Sequence, residues 1–571
     1  MADSFNDFFS QIGSNLASQL PPVAGPPLVD DAAHRVEHEF KLVQVSEVQV
    51  EECVRELRGG SAPGVDDFSA SFLKSNINYL VSPLTHIINL SLTVGIFPDK
   101  FKIAKVVPIF KANNKSEINN YRPISLLSVF SKILEKCVKK QLVTYLENNN
   151  LFSSCQFGFR KNKNSSDALF QVNKYIMVAI NNNKKSLIIY IDLKNAFDSI
   201  SRDLLFYKLE CIGIRGTALK WFRSYLTDRY QNVTICNISG ELRSVDFGVV
   251  QGSTLGPLLF LIYINNLSNL NLIGKLVLFA DDACLILQGT TWDQVFQLAS
   301  RELHLLRRWF HENILTLNVT KTKYLCVSLR SAAGPPPDLT LKVHSCGDPD
   351  SVACDCQTLE RVEKYKYLGV IFDSRLRWED HIVMLKSKIR KMIFVFSQLS
   401  NILNYEEIKI VYYAHVQSII QYGIIAYGGA YSTLLEPLTI IQKTILKMGF
   451  GKPRRYSTEM LYRESGILSV RQLYIKTILT FIRYNRELVI NPITHHHFTR
   501  NAAHFGMQVP QLVKSVNLTN SYFLANTIFR NTPMEIRDIQ GSDSLFAQRV
   551  AAWLWEIGPD RSADLLVPAY A

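Results

Sequence analysis

The chain has 571 residues, 47% of them hydrophobic and 20% charged, with a formal charge of +13. Such a composition excludes a disordered protein and a single small domain, and two or three domains are expected. The positive balance fits a polyanionic partner, although a basic surface without specificity would give the same charge.

Residues 1–15 lack the basic start and long apolar core of a secretory signal. No membrane span is visible; the most tempting stretch, 410–431, is interrupted by His415, Gln417 and Gln421. Residues 4–20 place Phe5, Phe8, Phe9, Ile12 and Leu16 at helical spacing, and Pro21, Pro22, Pro26 and Pro27 turn the chain into a linker. Residues 45–57 read as a short amphipathic helix, 59–64 as a Gly/Pro loop and 68–92 as a second helical stretch. Residues 106–111 are a short strand. Lys111 and Arg122 flank the polar loop that follows. Both are groups that hold phosphate, lysine as a point charge and arginine bidentately, with ordinary surface cations as the alternative. Residues 130–146 form an amphipathic helix with Lys132, Lys136, Lys139 and Lys140 on its basic face. The loop Arg160-Lys-Asn-Lys163 either touches a nucleic-acid backbone or is simply solvated.

Residues 187–191, Leu-Ile-Ile-Tyr-Ile, have the continuous apolar pattern of a strand buried on both faces, and the run ends on Asp192. Gln251-Gly252 precedes Gly256-Pro257. Proline favours the first helical position, and glycine lets backbone approach a ligand closely. Two apolar runs, Leu276–Phe279 and Cys284–Leu287, flank Asp281-Asp282, which reads as a hairpin with the acids at its turn. Adjacent acids in an apolar setting repel and are costly to desolvate. A divalent cation would remove that cost, and Mg²⁺ accepts carboxylates together with substrate phosphates. If Asp192 meets the pair, three carboxylates suit two Mg²⁺ ions, Mn²⁺ being a possible substitute. Two metals roughly 3.5–4 Å apart clamp both oxygens of a phosphoryl displacement. A solvated Asp-Asp turn is the plain alternative.

Residues 292–309 form a helix carrying Arg307-Arg308, and Leu315-Thr-Leu-Asn318 leads to Lys321 and Lys323. Gly334-Pro-Pro-Pro337 marks a loop. The ten cysteines are scattered without paired C-x2-C sets, which argues against a disulfide framework or a zinc finger. His344, Cys346, Cys354 and Cys356 could bind zinc, but their spacing fits no standard structural site, so a plain loop is expected. Residues 365–372 read as one strand, and 378–399 as one basic helix whose Lys386, Lys388, Arg390 and Lys391 would track a nucleic-acid backbone. Helices at 408–422 and 434–448 precede the basic Lys452, Arg454 and Arg455. Beyond about residue 469 only weak helix and loop signals remain, and His495-His-His497 reads as surface loop.

Asp192-x4-Phe197, Gln251-Gly252-Ser253 and Phe279-Ala-Asp-Asp282 stand in the order and spacing of reverse transcriptase palm motifs. With Asn120-Tyr-Arg-Pro-Ile-Ser-Leu126, Gln156-Phe-Gly-Phe-Arg160, Leu317-Asn-Val-Thr-Lys-Thr-Lys323 and Lys366-Tyr-Leu-Gly-Val370, the chain resembles the non-long-terminal-repeat, jockey-like retrotransposon polymerases. The resemblance implies an α+β, right-hand polymerase fold: fingers, a palm with an antiparallel sheet, a helical thumb and a helical C-terminal region. The divisions would be 1–44 (helix and linker), 45–104 (helical extension of the fingers), 105–375 (fingers and palm), 376–460 (thumb) and 461–571. The implied activity is RNA-directed DNA polymerisation, with an RNA template, a DNA primer, deoxynucleoside triphosphates and nuclear residence.

The resemblance also implies roles. Asp192, Asp281 and Asp282 would bind metal, and Lys321 would protonate pyrophosphate or neutralise its charge. Arg122, with Lys111, would hold the incoming nucleotide. Phe197 would lie under its sugar and exclude a ribose 2′-hydroxyl. Gln251 and Gly252 would run beneath nucleotide and template, and the strand Tyr365–Phe372 would grip the primer. Val250 stands where the family usually has proline and Asn266 where it has aspartate, though neither position holds metal. No endonuclease sequence precedes the linker, so the chain reads as the downstream portion of such a polyprotein or as one that has lost the upstream part. A catalytically idle nucleic-acid-binding remnant is the alternative, and an intron-maturase or telomerase-type polymerase a more distant one.

Overall fold

The computed structural model describes residues 1–21, 27–29, 31, 35–111, 114–328, 334–344, 346, 354–489 and 520–567. Pro22 and Pro26 of the linker and the His495–His497 run lie outside the described residues.

The apolar run ending at Asp192 becomes β3 (Lys185–Ile191), the middle strand of a five-stranded sheet. The order is β10 (Glu360–Arg361), β9 (Lys323–Val327), β3, β8 (Asp282–Gly289), β7 (Lys275–Phe279). All neighbours pair antiparallel except β10 with β9. Period-two alternation explains why β3 is apolar throughout. Leu187, Ile189 and Ile191 join one core with Val295, Ala299, Leu303 and Leu306 of the helix Trp292–Glu312. Ile188 and Tyr190 join the other, with Leu169, Val172 and Ile176 of the helix Ser165–Asn181 and with the helices after residue 379. Helices cover both faces, so no residue of the run is free to be polar.

A second sheet carries the segment before the palm. Strands β1 (Ile103–Phe110) and β2 (Tyr121–Leu126) form an antiparallel pair, and β1 runs parallel to β4 (Arg229–Ile235). Two short strands, β5 (Ile238–Ser239) and β6 (Arg243–Val245), flank β4. The first helix, Ala2–Ser18, lies on this sheet. Its Phe5, Phe9 and Ile12 pack with Ala104, Val106, Leu127 and Val233. Asn6 donates to Glu241 O (2.6 Å) and accepts from Gln231 Nε2 (3.2 Å).

Two expectations need correction. Residues 365–372 are not one strand but a hairpin, β11 (Lys364–Tyr367) and β12 (Val370–Asp373). Leu368 (φ 44°) and Gly369 (φ 81°) make its two-residue turn, with both residues in the left-handed region that tight hairpins require. The basic helix expected over 378–399 is two helices, Glu379–Arg390 and Met392–Leu399, interrupted at Lys391. Their buried side, with His381, Ile382, Leu385 and Ile389, leaves Lys386, Lys388, Arg390 and Lys391 exposed.

The helices Tyr405–Tyr412, Ser432–Gly449, Thr458–Ser465 and Val470–Tyr484 follow, and then Ser521–Asn531 and Asp543–Asp564. They share one apolar core with the far face of the palm sheet. Phe170 packs on Phe481 with ring centres 4.4 Å apart, and Asn485 Nδ2 donates to Asp167 (2.9 Å). Among the described residues, no helix is long and apolar enough to cross a membrane.

Candidate active site

The strand register brings the distant acids together. The last β3–β8 pair is Ile191 with Ala283. One step further, Asp192 is level with Asp282, the first residue of β8. Asn318 holds Asp192 from the other side: its Nδ2 donates to Oδ2 (2.7 Å), its backbone N–H donates to the Asp192 carbonyl (2.8 Å), and Thr322 Oγ1 accepts from the Asp192 N–H (3.2 Å).

The turn between β7 and β8 is Ala280-Asp281, with Ala280 at φ 56°. The Gln156-Phe-Gly motif sets this strained turn. Phe157 N–H donates to Leu278 O and Leu278 N–H to Cys155 O, both at 2.8 Å. Gln156 Oε1 accepts from Ala280 N–H (3.0 Å) and Gly158 N–H (2.8 Å). A β-carbon at Gly158 would come within 2.4 Å of Ala280 N, so only glycine fits.

Asp281 and Asp282 reach solvent at the tip of their hairpin, yet enough protein surrounds their carboxylates to shift them. Burial, and then Asp192, push Asp281 above the usual carboxylate range. Burial, Asp281 and Asp192 push Asp282 up to about 6. Arg122 and Lys111 oppose the Asp281 shift, and Arg122 the Asp282 shift, through charge alone. The cations meet at the same place. Burial and then the charges of Arg122 and Lys321 lower Lys111, while Asp192 and Asp281 hold it up. Arg122 sits on β2 opposite Ile109, and Lys111 N–H donates to Asn120 O (2.8 Å) across the loop. Three mutually repelling carboxylates beside three exposed cations are a donor set suited to divalent ions and a polyphosphate.

The remaining candidates divide. Gly252 (φ 111°) passes so close to β2 that a β-carbon would meet Ser125 O at 2.4 Å, while Ser125 N–H donates to Gln251 O (2.9 Å). This turn thus braces the strand that carries Arg122. The Gln251 amide, expected beneath a nucleotide, is instead engaged: Nε2 donates to both oxygens of Asp198 (2.9 and 2.7 Å). Burial pushes Asp198 up to about 7, against that donation. Phe197 is half-buried and stacks on Phe260 of the apolar helix Gly256–Ile264, with ring centres 4.5 Å apart. Glu135, fully buried in the helix Val129–Asn148, caps that apolar helix by accepting from Thr254 N–H (2.7 Å) and Leu255 N–H (3.1 Å).

Arg160 departs from both roles considered for its loop. It forms an ion pair with Glu147 (2.9 Å) and donates to Ser153 O (2.9 Å), so it fastens the Gln156 segment. Tyr365 was missed. It stacks on Tyr190 of β3 with ring centres 4.1 Å apart, and burial, then Asp192 and Asp282, raise its hydroxyl. Lys366-Tyr-Leu-Gly-Val370 was the available signal, but reading it as one strand hid which side faces the acids.

Residues 111–372 match the family model described as reverse transcriptase (RNA-dependent DNA polymerase). The chain is 26% identical, over 80% of its length, to the probable RNA-directed DNA polymerase from transposon BS of Drosophila melanogaster. It is 25% identical, over 71%, to the RNA-directed DNA polymerase from mobile element jockey of Drosophila funebris. The matches cover 49% and 44% of those proteins, so the chain spans about half the length of the curated relatives it matches. A solved apo telomerase from Candida tropicalis, truncated from its C-terminal domain, overlaps 54% of this chain and 59% of its own at 12% identity and TM-score 0.33, too loosely to carry weight. Residues 111–372 are therefore a reverse transcriptase domain, and the chain is homologous to the RNA-directed DNA polymerases of Drosophila non-long-terminal-repeat retrotransposons.

Proposed function

We propose that the chain copies RNA into DNA, extending a primer 3′-hydroxyl with deoxynucleoside triphosphates. The observation that carries this is the convergence of Asp192, Asp281 and Asp282 with Lys111, Arg122 and Lys321 close enough to act on one another electrostatically. The three carboxylates would hold two Mg²⁺ ions, with Mn²⁺ as a substitute. When bound, the ions supply charge neutralisation and acidify the primer hydroxyl.

The chain's own side chains position the substrates. Arg122 and Lys111 receive the triphosphate as paired donors. The primer 3′-hydroxyl gives its proton to solvent water, its oxygen bonds to the α-phosphorus as the bond to pyrophosphate breaks, and Lys321 gives the departing pyrophosphate a proton. Phe197, propped by Phe260, blocks a 2′-hydroxyl; its replacement by alanine should raise the ratio of ribo- to deoxynucleotide incorporation about tenfold. The β11–β12 hairpin, stacked on β3 through Tyr365 and Tyr190, supports the primer end. The exposed Lys386, Lys388, Arg390 and Lys391 follow the duplex backbone.

The test is deoxythymidylate incorporation on poly(rA)·oligo(dT) with and without Mg²⁺. Asp192→Asn and Asp281→Asn should each lose about 10³-fold or more. Near-normal extension by either variant would defeat the assignment.

A further inference from the structure

Between β9 and β10 the chain makes a long excursion. Its two described arms run antiparallel. Val343 N–H donates to Gln357 O and Leu359 N–H to Leu341 O, both at 2.8 Å, and Lys342 bridges Thr358. That register sets His344 and Cys346 on one arm against Cys354 and Cys356 on the other. Within each arm the two residues are i and i+2.

The four donor atoms, one from each side chain, lie within 4.8 Å of one another. His344 Nδ1 is 3.3 Å from Cys354 Sγ and 3.7 Å from Cys346 Sγ. A tetrahedral Zn²⁺, with Zn–S about 2.3 Å and Zn–N about 2.0–2.1 Å, requires S···N near 3.5 Å and S···S near 3.8 Å. The two S···N separations bracket the first of those values, all four donor atoms lie within 4.8 Å, and none of the three cysteines is in a disulfide.

We propose that His344 Nδ1 and the thiolates of Cys346, Cys354 and Cys356 form a structural Zn²⁺ site. Four protein donors close the tetrahedron and leave no open position, which is the structural rather than the catalytic pattern. Three thiolates, a neutral imidazole and Zn²⁺ sum to one negative charge. Two cations approach it: Lys342 Nζ donates to the Cys354 carbonyl (2.8 Å), and Arg307 Nη1 donates to the buried His344's carbonyl (3.1 Å). Arg307 belongs to the helix Trp292–Glu312, which packs on β3. The ion would thus clasp the excursion to the palm, between β9 and the β11–β12 hairpin. The one-residue spacers explain why the motif is unfamiliar. Standard structural sites space their cysteine ligands by two to four residues around a turn, whereas here two facing arms each supply an i, i+2 pair.

The test is metal analysis of the full chain purified in reductant without added zinc. About one zinc per chain is expected. Cys354→Ser/Cys356→Ser should cut the content more than tenfold, and Cys236→Ser, an exposed cysteine elsewhere, should leave it unchanged. Should the double variant aggregate, Co²⁺ exchange into the native chain reads the site directly, through thiolate charge-transfer and tetrahedral d–d bands. Any of three results would overturn the proposal: under about 0.1 zinc per chain with no such Co²⁺ spectrum, zinc unchanged in a folded double variant, or a disulfide joining two of these cysteines in the reduced preparation.

Discussion

Lys208, Asp31 and Asn266 form one polar cluster of this molecule; Asp192, Asp281 and Asp282 form another. In the first, every charge meets its opposite. Lys208 Nζ donates to Asn266 Oδ1 (2.8 Å) and lies 3.6 Å from Asp31, while Asn266 Nδ2 donates to Asp31 (2.7 Å). The rings of Tyr263 and Trp309 flank the ammonium, each 5.4 Å away. Burial lowers Lys208 to about 8, and Asp31 opposes that shift. Asn266 fits because an amide donates to Asp31 and accepts from Lys208 at once. In the second cluster, like charges face one another, and burial raises the protonation range of Asp281 and Asp282. The contrast teaches that polar groups serving the fold are satisfied within it, whereas those serving chemistry are left for ligands to satisfy.

The largest expected effect tests that contrast directly. The thousandfold or greater loss of incorporation in Asp192→Asn and Asp281→Asn should come with a metal-free melting temperature within about 1 °C of the parent, or above it, since each removes a repelling charge. A melting point several degrees lower would place these acids on the structural side. Next, Gly158→Ala should push the Ala280-Asp281 turn out of place and cut incorporation about 100-fold. An unchanged rate would show that the turn tolerates displacement.

The other cluster should behave oppositely. Lys208→Met leaves Asp31 without its counter-charge and the Asn266 oxygen without its donor, and should cost about 2–3 kcal/mol, read as a lower melting temperature, with incorporation per folded molecule nearly intact. The smallest effect is a pH dependence. Because Asp282 titrates near 6, an ion must displace its proton below that pH. The Mg²⁺ concentration for half-maximal rate should rise about tenfold per pH unit below 6 and level off above 7. A requirement flat from pH 5 to 8 would remove Asp282 from the metal site.

Much of this was legible from residues alone. Leu187–Ile191 announced a strand covered on both faces, and the paired apolar runs around Asp281-Asp282 announced their hairpin. What escaped depended on backbone geometry or on distant partners. Leu368 is apolar, so its left-handed conformation, and the turn it makes, looked like continuing strand. Arg160 looked like a free cation because nothing nearby in sequence marks Glu147 as its partner. Gln251 lies too far from Asp198 along the chain for their bond to be read. His344, Cys346, Cys354 and Cys356 matched no known spacing because the fold assembles them across two facing arms.

The placement of the first helix bears on where this chain can be cut. Trimming to the matched segment, at Lys111, would delete β1 whole, together with the Phe5, Phe9 and Ile12 cover that seals Leu127 and Val233. Arg122 would then hang from a strand that has lost β1, its partner in the sheet among the described residues. A minimal catalytic fragment must therefore begin at the amino terminus of this sequence, well ahead of its recognisable motifs.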